Sequence, residues 1–376
     1  MVYRLHGGGQ RNISCQEIKI VYICSSGAHE YWINLVNAVS KKCDVHLFLP
    51  DTIKKSNIPR YLEETIRIHY FKKFKFYDVR NINSILKLYK KIQELRPSII
   101  HLPGGIPFWL PAIYPLIKLK FPLVITAHEP TPKTISLYDI ILLKIHICLA
   151  DAIIVAGEAV KKETMLYWKN KKLRIFTVPF GTFVHYRRLI KTHGKEDDSA
   201  ILFFGAITPH KGPEYLIEAE PLVSREIKDF KIIVAGKGFG KYKELIRNPN
   251  SFEIHDHYVN DNQLCELFQR ASVVVLPYIS SFQSGVIFTA YAFLKPVITT
   301  NVGSLPESVS HLETGLIIEP KSATALAEAI ITLLKNRELR DKMKENIQRN
   351  ATGKYSWNKI TRMMLNVYYE VIKMRT

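Results

Sequence analysis

The feature that most constrains this chain is a regular alternation of short apolar runs with longer amphipathic segments. The apolar runs are nearly continuous and lack the polar alternation of a strand with one face in water. Such runs, separated by helical segments, predict parallel strands that are buried on both faces and joined by helices. The predicted strands lie at 18–24, 45–50, 98–104, 122–129, 151–157 and 174–181, and then at 201–207, 230–238, 251–258, 271–278, 296–303 and 314–320.

A polar, charged stretch interrupts this alternation near the middle of the chain. It reads HYRRLIKTHGKEDDSA at 185–200 and contains a glycine, which is typical of a linker. With 376 residues, the chain is long enough for two domains of ordinary size. We therefore predict an α/β protein of two doubly wound, Rossmann-like domains facing a central cleft. The predicted bounds are 1–184 and 201–355 for the domains, 185–200 for the linker and 356–376 for a C-terminal amphipathic helix.

The chain is strongly basic, with 53 Lys and Arg against 34 Asp and Glu and a formal net charge of +19. Such a charge implies a polyanionic neighbour: an acidic lipid surface, a nucleic acid or a phosphorylated substrate. Within 51–100, twelve Lys and Arg stand against five Asp and Glu, and HYFKKFKFYDVR interleaves lysine with aromatic residues.

Three interpretations fit this basic region at 51–100. It is the solvated edge of the first domain, or it docks on an anionic membrane with its aromatic residues in the interface. In the third interpretation the lysines bind nucleic-acid phosphates and the aromatic rings stack on bases. No nucleic-acid fold signature is present, so this interpretation ranks lowest and we expect no nucleic-acid partner.

The cysteines and the most apolar segment bear on location. None of the five cysteines is spaced as CxxC, which argues against a zinc site or a redox pair and fits a reducing cytosol. The segment at 137–157 is interrupted by charged and polar residues, so it predicts a buried helix and a strand rather than a membrane span. The N-terminus lacks an apolar signal core. We expect a cytoplasmic protein, with peripheral attachment to the cytoplasmic membrane face as a hypothesis.

The stretch ILFFGAITPHKGPEYLIEA, at 201–219, predicts a strand, a loop and a helix. Gly205 ends the strand, Lys211 lies at the turn, and Pro213 suits the first turn of the helix. Backbone N–H groups and the helix dipole supply partial positive charge there, and the lysine supplies a full charge. The pattern predicts a phosphate site; a surface lysine in an ordinary turn is the alternative.

The stretch SSFQSGVIFTAYAFLKPVITTNVGSLPE, at 280–307, repeats this arrangement. A polar loop follows a strand and precedes an apolar helix, and Gly285 allows a ligand to approach the backbone closely. The amides of Ser284, Gly285 and Val286 would form an anion-binding helix N-terminus. The alternative is an N-cap by Ser284 without a ligand. Two anion sites in one domain favour a diphosphate.

These two stretches resemble the nucleotide-sugar domain of retaining glycosyltransferases of the GT-B fold, family-4 type. The resemblance covers most of the chain and is strongest at 201–320; in the first half it rests on IVYICSSGAHE, VITAHEP and ADAIIVAGEAVK. It implies a nucleotide-diphosphate sugar as donor, a glycan or lipid-linked acceptor on the side of the first domain, and a C-terminal helix that crosses back to that domain.

The sequence departs from the family pattern at three positions. The family's two glutamates fall on Ser281 and Thr289, and its arginine falls on Ala206. The segment around Gln283 resembles a subset of these enzymes in which Gln-Ser-Gly replaces the acidic pattern. In that case Gln283 would hydrogen-bond the donor sugar, since an amide both donates and accepts.

The resemblance also implies the site residues. His128, in TAHEP at the end of a strand, and Gln283 are the predicted catalytic residues. Tyr258 and Val259 match the segment that holds the nucleotide base, although their side chains could belong to the core. Glu307 matches a common glutamate, for which a structural cap is the alternative. The predicted donor-binding residues are Gly27, Gly205, Lys211, Tyr258, Val259, Ser284, Gly285, Val286, Thr289 and Glu307.

We therefore expect a retaining glycosyltransferase that uses no metal and no cofactor besides its donor substrate. No DxD-type motif stands in a suitable loop, because EDDSA lies in the predicted linker. The resemblance implies same-face attack by the acceptor hydroxyl, helped by the departing phosphate. The alternatives are a non-catalytic protein of this fold that binds sugar nucleotides or glycans, a nucleic-acid-binding protein, and an epimerase, which would want carboxylates in its cleft.

Overall fold

A computed structural model describes residues 18–24, 29–75, 78–104, 114–129, 137–169, 174–190 and 194–375 of the chain. The chain divides into two compact units. The first unit comprises Met1–Pro179 together with Trp357–Thr376, and the second comprises Phe180–Ser356. Each unit is built on its own parallel sheet.

The boundary between the units differs from the linker predicted at 185–200. Val184–Leu189 forms a 3-10 helix whose Tyr186 is buried, and Asp197–Phe204 forms a strand. Polar composition is a poor guide here because the strand begins with exposed residues, and one of them, Asp198, accepts a hydrogen bond from the buried Arg340.

Within the described residues, the first unit contains one sheet of seven parallel strands. They are β1 (Lys19–Ile23), β2 (Asp44–Pro50), β3 (Arg67–Phe71), β4 (Ile99–Leu102), β5 (Leu123–Thr126), β6 (Ala152–Val155) and β7 (Ile175–Thr177). Their order is β3-β2-β1-β4-β5-β6-β7, so the direction of the winding reverses between β1 and β4. The buried strands follow from the continuous apolar runs of the sequence.

Helices connect these strands, and their apolar faces lie on the sheet. They are α1 (His29–Ser40), α2 (Arg80–Leu95), α3 (Tyr114–Lys120), α4 (Leu137–Leu149) and α5 (Glu158–Trp168). Helix α2 is strongly amphipathic. Its Ile85, Leu88 and Ile92 join a core cluster with Val21 and Ile100 of the sheet.

The second unit contains six parallel strands among its described residues. They are β8 (Asp197–Phe204), β9 (Lys231–Ala235), β10 (Phe252–His255), β11 (Ala271–Leu276), β12 (Val297–Thr300) and β13 (Gly315–Ile318). Their order is β10-β9-β8-β11-β12-β13, so this winding reverses between β8 and β11. In open sheets of this kind, ligands bind outside the carboxyl ends of the strands at the reversal point.

Local sequence signals explain where the helices of the second unit begin. Asn260 and Gln263 form a capping box, and Ser322 caps another helix by accepting from the amide of Ala325. The helices are α6 (Pro213–Ser224), α7 (Asp261–Arg270), α8 (Gly285–Ala292), α9 (Leu305–Ser308), α10 (Ala323–Lys335) and α11 (Arg337–Thr352).

The C-terminal helix, α12 (Trp357–Lys373), belongs to the first unit and packs against α1. One face of the helix is buried, and it includes Ile360 and Met364. A buried polar network also ties the helix to the sheet. The hydroxyl of Tyr368 lies 2.9 Å from the hydroxyl of Tyr22 and 2.5 Å from Nδ1 of His101.

Candidate functional site

The loop between β8 and α6 places a lysine over a glycine at the reversal point of the second sheet. Gly205 adopts a left-handed backbone, with φ of 102°, and Gly212 another, with φ of 64°. A Cβ added at Gly205 would lie 2.9 Å from Nζ of Lys211 and 3.8 Å from Cγ2 of Val286. The predicted residues Gly205, Lys211 and Val286 therefore lie together, although they come from two different loops.

The loop between β11 and α8 is fixed to the loop between β8 and α6 by backbone contacts. The carbonyl of His210 accepts a hydrogen bond from the amide of Ile279, over 2.9 Å. A Cβ at Gly212 would lie only 2.2 Å from the carbonyl oxygen of Pro277, so a larger residue would separate the two loops. Lys211 Nζ lies 5.4 Å from the centre of the Tyr278 ring.

The start of α8 has the features of an anion-binding helix terminus. Ser284 occupies the N-cap position, but its side chain makes no capping hydrogen bond, and the first turn contains no acidic residue. The first amides of a helix have no partner within the helix, so they are available to an acceptor. A Cβ at Gly285 would make a tight contact with the ring of Phe183, at 3.2 Å.

Gln283 lies between this loop and α9. Its Nε2 donates to Oγ of Ser308 over 3.3 Å, while its Oε1 is buried without a hydrogen-bond partner. The loop before α9 supports this region, because the amide of Ser304 donates to the carbonyl of Phe282 over 3.1 Å. Gln283 is therefore held beside the start of α8, with one amide oxygen that has no acceptor role in this structure.

Two glycines that the sequence analysis did not assign to the site support Gly205. Gly236 and Gly238, after β9, have φ of 140° and 112°. A Cβ at Gly236 would lie 2.1 Å from the carbonyl oxygen of Gly205, and one at Gly238 would lie 2.4 Å from that of Ile207. The signal that could have identified them is the pair of glycines in GKG directly after a buried strand.

Asp256 fixes this glycine loop in place. Its Oδ1 accepts from the amides of Gly238, at 2.7 Å, and Phe239, at 3.1 Å. These backbone hydrogen bonds, the one from Gly238 above all, lower the pKa of the Asp256 carboxyl. The carboxylate acts on the loop, and through the loop on the position of Gly205.

The remaining predicted donor-binding residues lie in varied surroundings. Tyr258 is 77% exposed, so its side chain does not belong to the core, and Val259 is half-buried. Thr289 is buried in α8 and donates to the carbonyl of Gly285 over 3.3 Å. The side chain of Glu307 is exposed, and its carbonyl accepts from Nζ of Lys354 over 3.1 Å. The donor-binding roles of these residues stay predictions.

In the first unit, His128 lies just beyond β5, at the carboxyl edge of the sheet. Its Nε2 donates to the carbonyl of Pro103 over 3.0 Å, and its ring meets that of Tyr31 edge-on, with centroids 5.3 Å apart. Burial lowers the pKa of His128, against the opposing effect of the hydrogen bond to Pro103, so the ring is neutral near pH 7. The predicted site residue Gly27 lies outside the described residues.

The charges around Lys211 and the start of α8 in the second unit would suit an anion. Among the described residues, Lys211 forms no ion pair, and the start of α8 adds partial positive charge next to it. Such a site can hold a diphosphate and stabilise negative charge on a leaving group. In the described part of the chain, no cluster of three His, Cys, Asp or Glu could hold a metal ion. Metal independence stays a prediction.

The described residues contain no helix with both the length and the apolar character needed to cross a bilayer.

Comparison with protein families divides the chain in the same way as its fold. Residues 25–182 match the model of Glycosyltransferase Family 4, and residues 187–350 match that of Glycosyl transferases group 1. The first match corresponds to the seven-stranded sheet and the second to the six-stranded sheet.

Relatives and solved structures agree with these matches. The chain is 30% identical to the uncharacterized glycosyltransferase MJ1607 of Methanocaldococcus jannaschii over 51% of this chain and 49% of that protein. It is 26% identical to MJ1178 of the same organism over 90% of this chain and 93% of that protein. Apart from MJ1178, the chain spans about half the length of the curated relatives that it matches.

The fold resembles that of Anabaena Alr3699/HepE, with a TM-score of 0.70, 16% identity and coverage of 94% of this chain and all of that one. That protein was solved with UDP-glucose. At this level of identity the likeness shows the fold, and the fold is GT-B. Together with the two family models, which match both halves of the chain, it shows that this protein belongs to the GT-B glycosyltransferases of the family-4 and group 1 type.

Proposed function

We propose that this protein transfers a sugar from a nucleotide-diphosphate sugar to a glycan or lipid-linked acceptor. We further propose that the anomeric configuration is retained and that no metal takes part. The observation that carries the proposal is the position of Lys211. Its ammonium lies over Gly205 and beside Val286, at the point where the winding of the second sheet reverses.

The proposed chemistry requires stabilisation of a departing nucleoside diphosphate. As the bond between the anomeric carbon and the diphosphate breaks, negative charge grows on the leaving group, and Lys211 with the first amides of α8 opposes it. The acceptor hydroxyl attacks from the same face, and its proton passes to the departing phosphate. In this scheme the protein binds and orients the reactants and supplies no nucleophile.

Gln283 and His128 have proposed roles toward the sugar. The amide of Gln283 would exchange its hydrogen bond to Ser308 for one to a sugar hydroxyl, and its buried Oε1 would gain a donor. For His128 we retain the predicted catalytic role, with a ring that is neutral near pH 7. For Tyr258, Val259 and Glu307 we retain the proposal that they contact the nucleotide or the sugar.

The ligands of one similar structure and the name of one similar protein support the proposed sugar transfer. HepE was solved with UDP and with UDP-glucose, and another matching protein of the curated set is an alpha-D-kanosaminyltransferase from Streptomyces kanamyceticus. These ligands make uridine diphosphate the first probe. The sugar and the base of this protein's own donor are open to the same assay with other nucleotides.

Titration of purified protein with uridine diphosphate tests the anion site. Lys211→Ala removes a charge-assisted hydrogen bond worth about 1.5–3 kcal/mol, which corresponds to binding weaker by about 10- to 150-fold. The matched control is Lys342→Ala, which removes the same charge from an exposed position on α11. Equal affinity of Lys211→Ala and wild type for the nucleotide would place the phosphate site elsewhere.

Incubation with a panel of nucleotide sugars and acceptors separates catalysis from binding alone. Release of nucleoside diphosphate that depends on an acceptor supports the transferase. Tight nucleotide binding with no turnover of any donor would instead support a non-catalytic binding protein of the same fold.

A further inference from the structure

Helix α2 has two apolar sides, and only one of them is buried in the core. The buried side contributes Ile85, Leu88 and Ile92 to the core of the first unit. Away from that side, Ile82 is 60% exposed and Leu86 is 55% exposed. Val79, which precedes the helix, is 76% exposed. Residues spaced three and four apart share one face of a helix, so these three form a continuous apolar stripe in solvent.

The stripe continues onto α3. The hydroxyl of Tyr89 on α2 donates to the carbonyl of Leu116 on α3 over 3.5 Å, which brings the two helices together at this point. Leu116 is 42% exposed and Leu119 is 79% exposed. Exposed aliphatic side chains on two adjacent helices form a surface that a single exposed leucine would not.

Lysines surround this apolar surface. Lys87 and Lys90 lie on the exposed part of α2, and Lys72, Lys73 and Lys75 lie in the segment that leads to it. None of the five forms an ion pair with a described carboxylate, although Asp51 accepts a hydrogen bond from the backbone amide of Lys73 over 3.5 Å. Two other acids of the region are paired with different cations. Asp78 binds Arg80 at 2.6 Å, and Glu94 binds Lys91 at 3.1 Å. The five lysines therefore leave an excess of positive charge around the stripe.

We propose that this α2 surface docks the protein on an anionic lipid bilayer. We define the surface by its apolar residues Val79, Ile82, Leu86, Leu116 and Leu119 and its lysines Lys72, Lys73, Lys75, Lys87 and Lys90. The aliphatic side chains enter the interface between headgroups and acyl chains, and the lysines contact the headgroups. The inference rests on the peripheral attachment considered for residues 51–100, but it does not require sugar transfer.

The exposed side chains of the α2 surface favour a membrane over a nucleic acid as its partner. Binding of single strands uses exposed aromatic rings on which bases stack. Among the aromatic residues of this region that the structure describes, Phe71 is 6% exposed, and Phe74 lies under Arg80, whose guanidinium is 4.5 Å from the ring centre. Tyr70 is 37% exposed, but Nζ of Lys54 lies over its ring, 4.5 Å from the centre. The exposed apolar groups are aliphatic, which suits acyl chains. In this proposal the aliphatic residues of α2 enter the interface, and membrane contact by the aromatic residues of 69–80 stays a prediction.

The surface also has a useful place in the fold. Val79 follows β3 closely, so the stripe starts at the carboxyl edge of the first sheet, the edge at which His128 lies. A docked protein would keep this edge near the bilayer, where a lipid-linked acceptor would be found.

Flotation of the full chain with vesicles tests the proposal. Vesicles of phosphatidylcholine with about one third phosphatidylglycerol should float the protein at low salt, and vesicles of phosphatidylcholine alone should not. The double variant Ile82→Asn and Leu86→Asn should lower the bound fraction by about tenfold, and Lys87→Ala with Lys90→Ala should lower it and weaken its salt dependence. Both pairs of positions are exposed, so the variants should unfold at the temperature of the wild type.

Matched controls come from α5. Met165 and Leu166 are 56% and 74% exposed in the same unit, and changing both to asparagine removes comparable apolar area outside the α2 surface. This control should bind anionic vesicles like wild type. The proposal is overturned if neutral vesicles bind the protein equally well, if the Ile82 and Leu86 variant floats like wild type, or if the control loses binding as well. Nucleotide titration is a separate measurement, so failure of docking leaves the transferase proposal intact.

Discussion

The buried hydroxyl of Tyr368 should be among the most costly single groups to remove from the first unit. It lies between the hydroxyl of Tyr22, at 2.9 Å, and Nδ1 of His101, at 2.5 Å, while Nε2 of His101 lies 2.8 Å from Oγ1 of Thr126. The consistent pattern has Nε2–H donating to Thr126, Tyr368 donating to Nδ1, and Tyr22 donating to Tyr368. All four side chains are buried, so water is not at hand to replace a lost partner.

The magnitude follows from the number of groups that lose a partner. Tyr368→Phe removes the donor to Nδ1 of His101 and the acceptor for the hydroxyl of Tyr22. Each buried group without a partner costs about 1–3 kcal/mol, so the variant should lose about 2–6 kcal/mol of unfolding free energy. Tyr22→Phe removes only one donor, and Tyr368 keeps its bond to His101, so the loss should be near 1 kcal/mol.

Tryptophan fluorescence can follow this unit separately. All four tryptophans of the chain, at 32, 109, 168 and 357, belong to the first unit, so their emission during urea unfolding reports that unit alone. The double variant of Tyr22 and Tyr368 leaves only His101 without its partner, so its loss should be smaller than the sum of the two single losses. Wild-type stability of Tyr368→Phe, or additive losses in the cycle, would refute this account of the network.

Three further changes have expected outcomes. Burial, aided by His128, lowers the pKa of His101 to about 3, so the unfolded chain takes up a proton below about pH 6.5 that the folded chain does not. Stability of the first unit should therefore fall from pH 6.5 toward pH 3, by up to about 1.4 kcal/mol per pH unit for this residue, and His101→Gln should flatten that slope in fluorescence-monitored unfolding. Gly205→Ala should weaken uridine diphosphate binding, because its Cβ would lie 2.9 Å from Nζ of Lys211 at a φ of 102°; Gly194→Ala, where no left-handed backbone is needed, is the control, and equal affinity of both would contradict the argument. Gln283→Ala should lower turnover while changing nucleotide diphosphate affinity by less than about threefold; a large loss of affinity instead would move Gln283 from the sugar to the diphosphate.

Much of the fold could be predicted because a strand that is buried on both faces appears in the sequence as a continuous run of apolar residues. The strands around the reversal points were recognisable in this way, and so was the α/β class. The boundary between the units was not, because it depends on which surface a polar segment packs against. His185 and Tyr186 lie in a stretch of mostly polar residues, yet their exposed fractions are only 3% and 1%. These two side chains are buried by tertiary packing, which the composition of a short segment does not reveal.

The parts of the candidate site that lie in one short stretch of sequence could be predicted. Lys211 and the Ser284–Gly285 turn follow buried strands directly, so their position at the carboxyl edge follows from the strand pattern. The support of Gly205 by Gly236 and Asp256 was not predictable in the same way. These residues are distant in sequence and meet only when β8, β9 and β10 align in the sheet.

At two of the departures from the family pattern, Ser281 and Thr289, a short hydroxyl side chain bonds the nearby backbone. Oγ of Ser281 donates to the carbonyl of Gln283 over 3.1 Å, and Oγ1 of Thr289 donates to the carbonyl of Gly285 over 3.3 Å. The framework of the site therefore does not depend on the acids that the sequence lacks.

The absence of the two glutamates of the family pattern changes the net charge of the two loops. The start of α8 contains no acidic residue, and Lys211 forms no ion pair with a described carboxylate, not even with Glu214 in the first turn of α6, so an unpaired positive charge and its potential remain between the two loops. A neutral glycan gains little from such a potential, whereas a diphosphate gains from both the lysine and the helix terminus. The electrostatics of the second unit thus favour a nucleotide-diphosphate ligand over a glycan as the occupant of this site, whether or not the sugar attached to it is transferred.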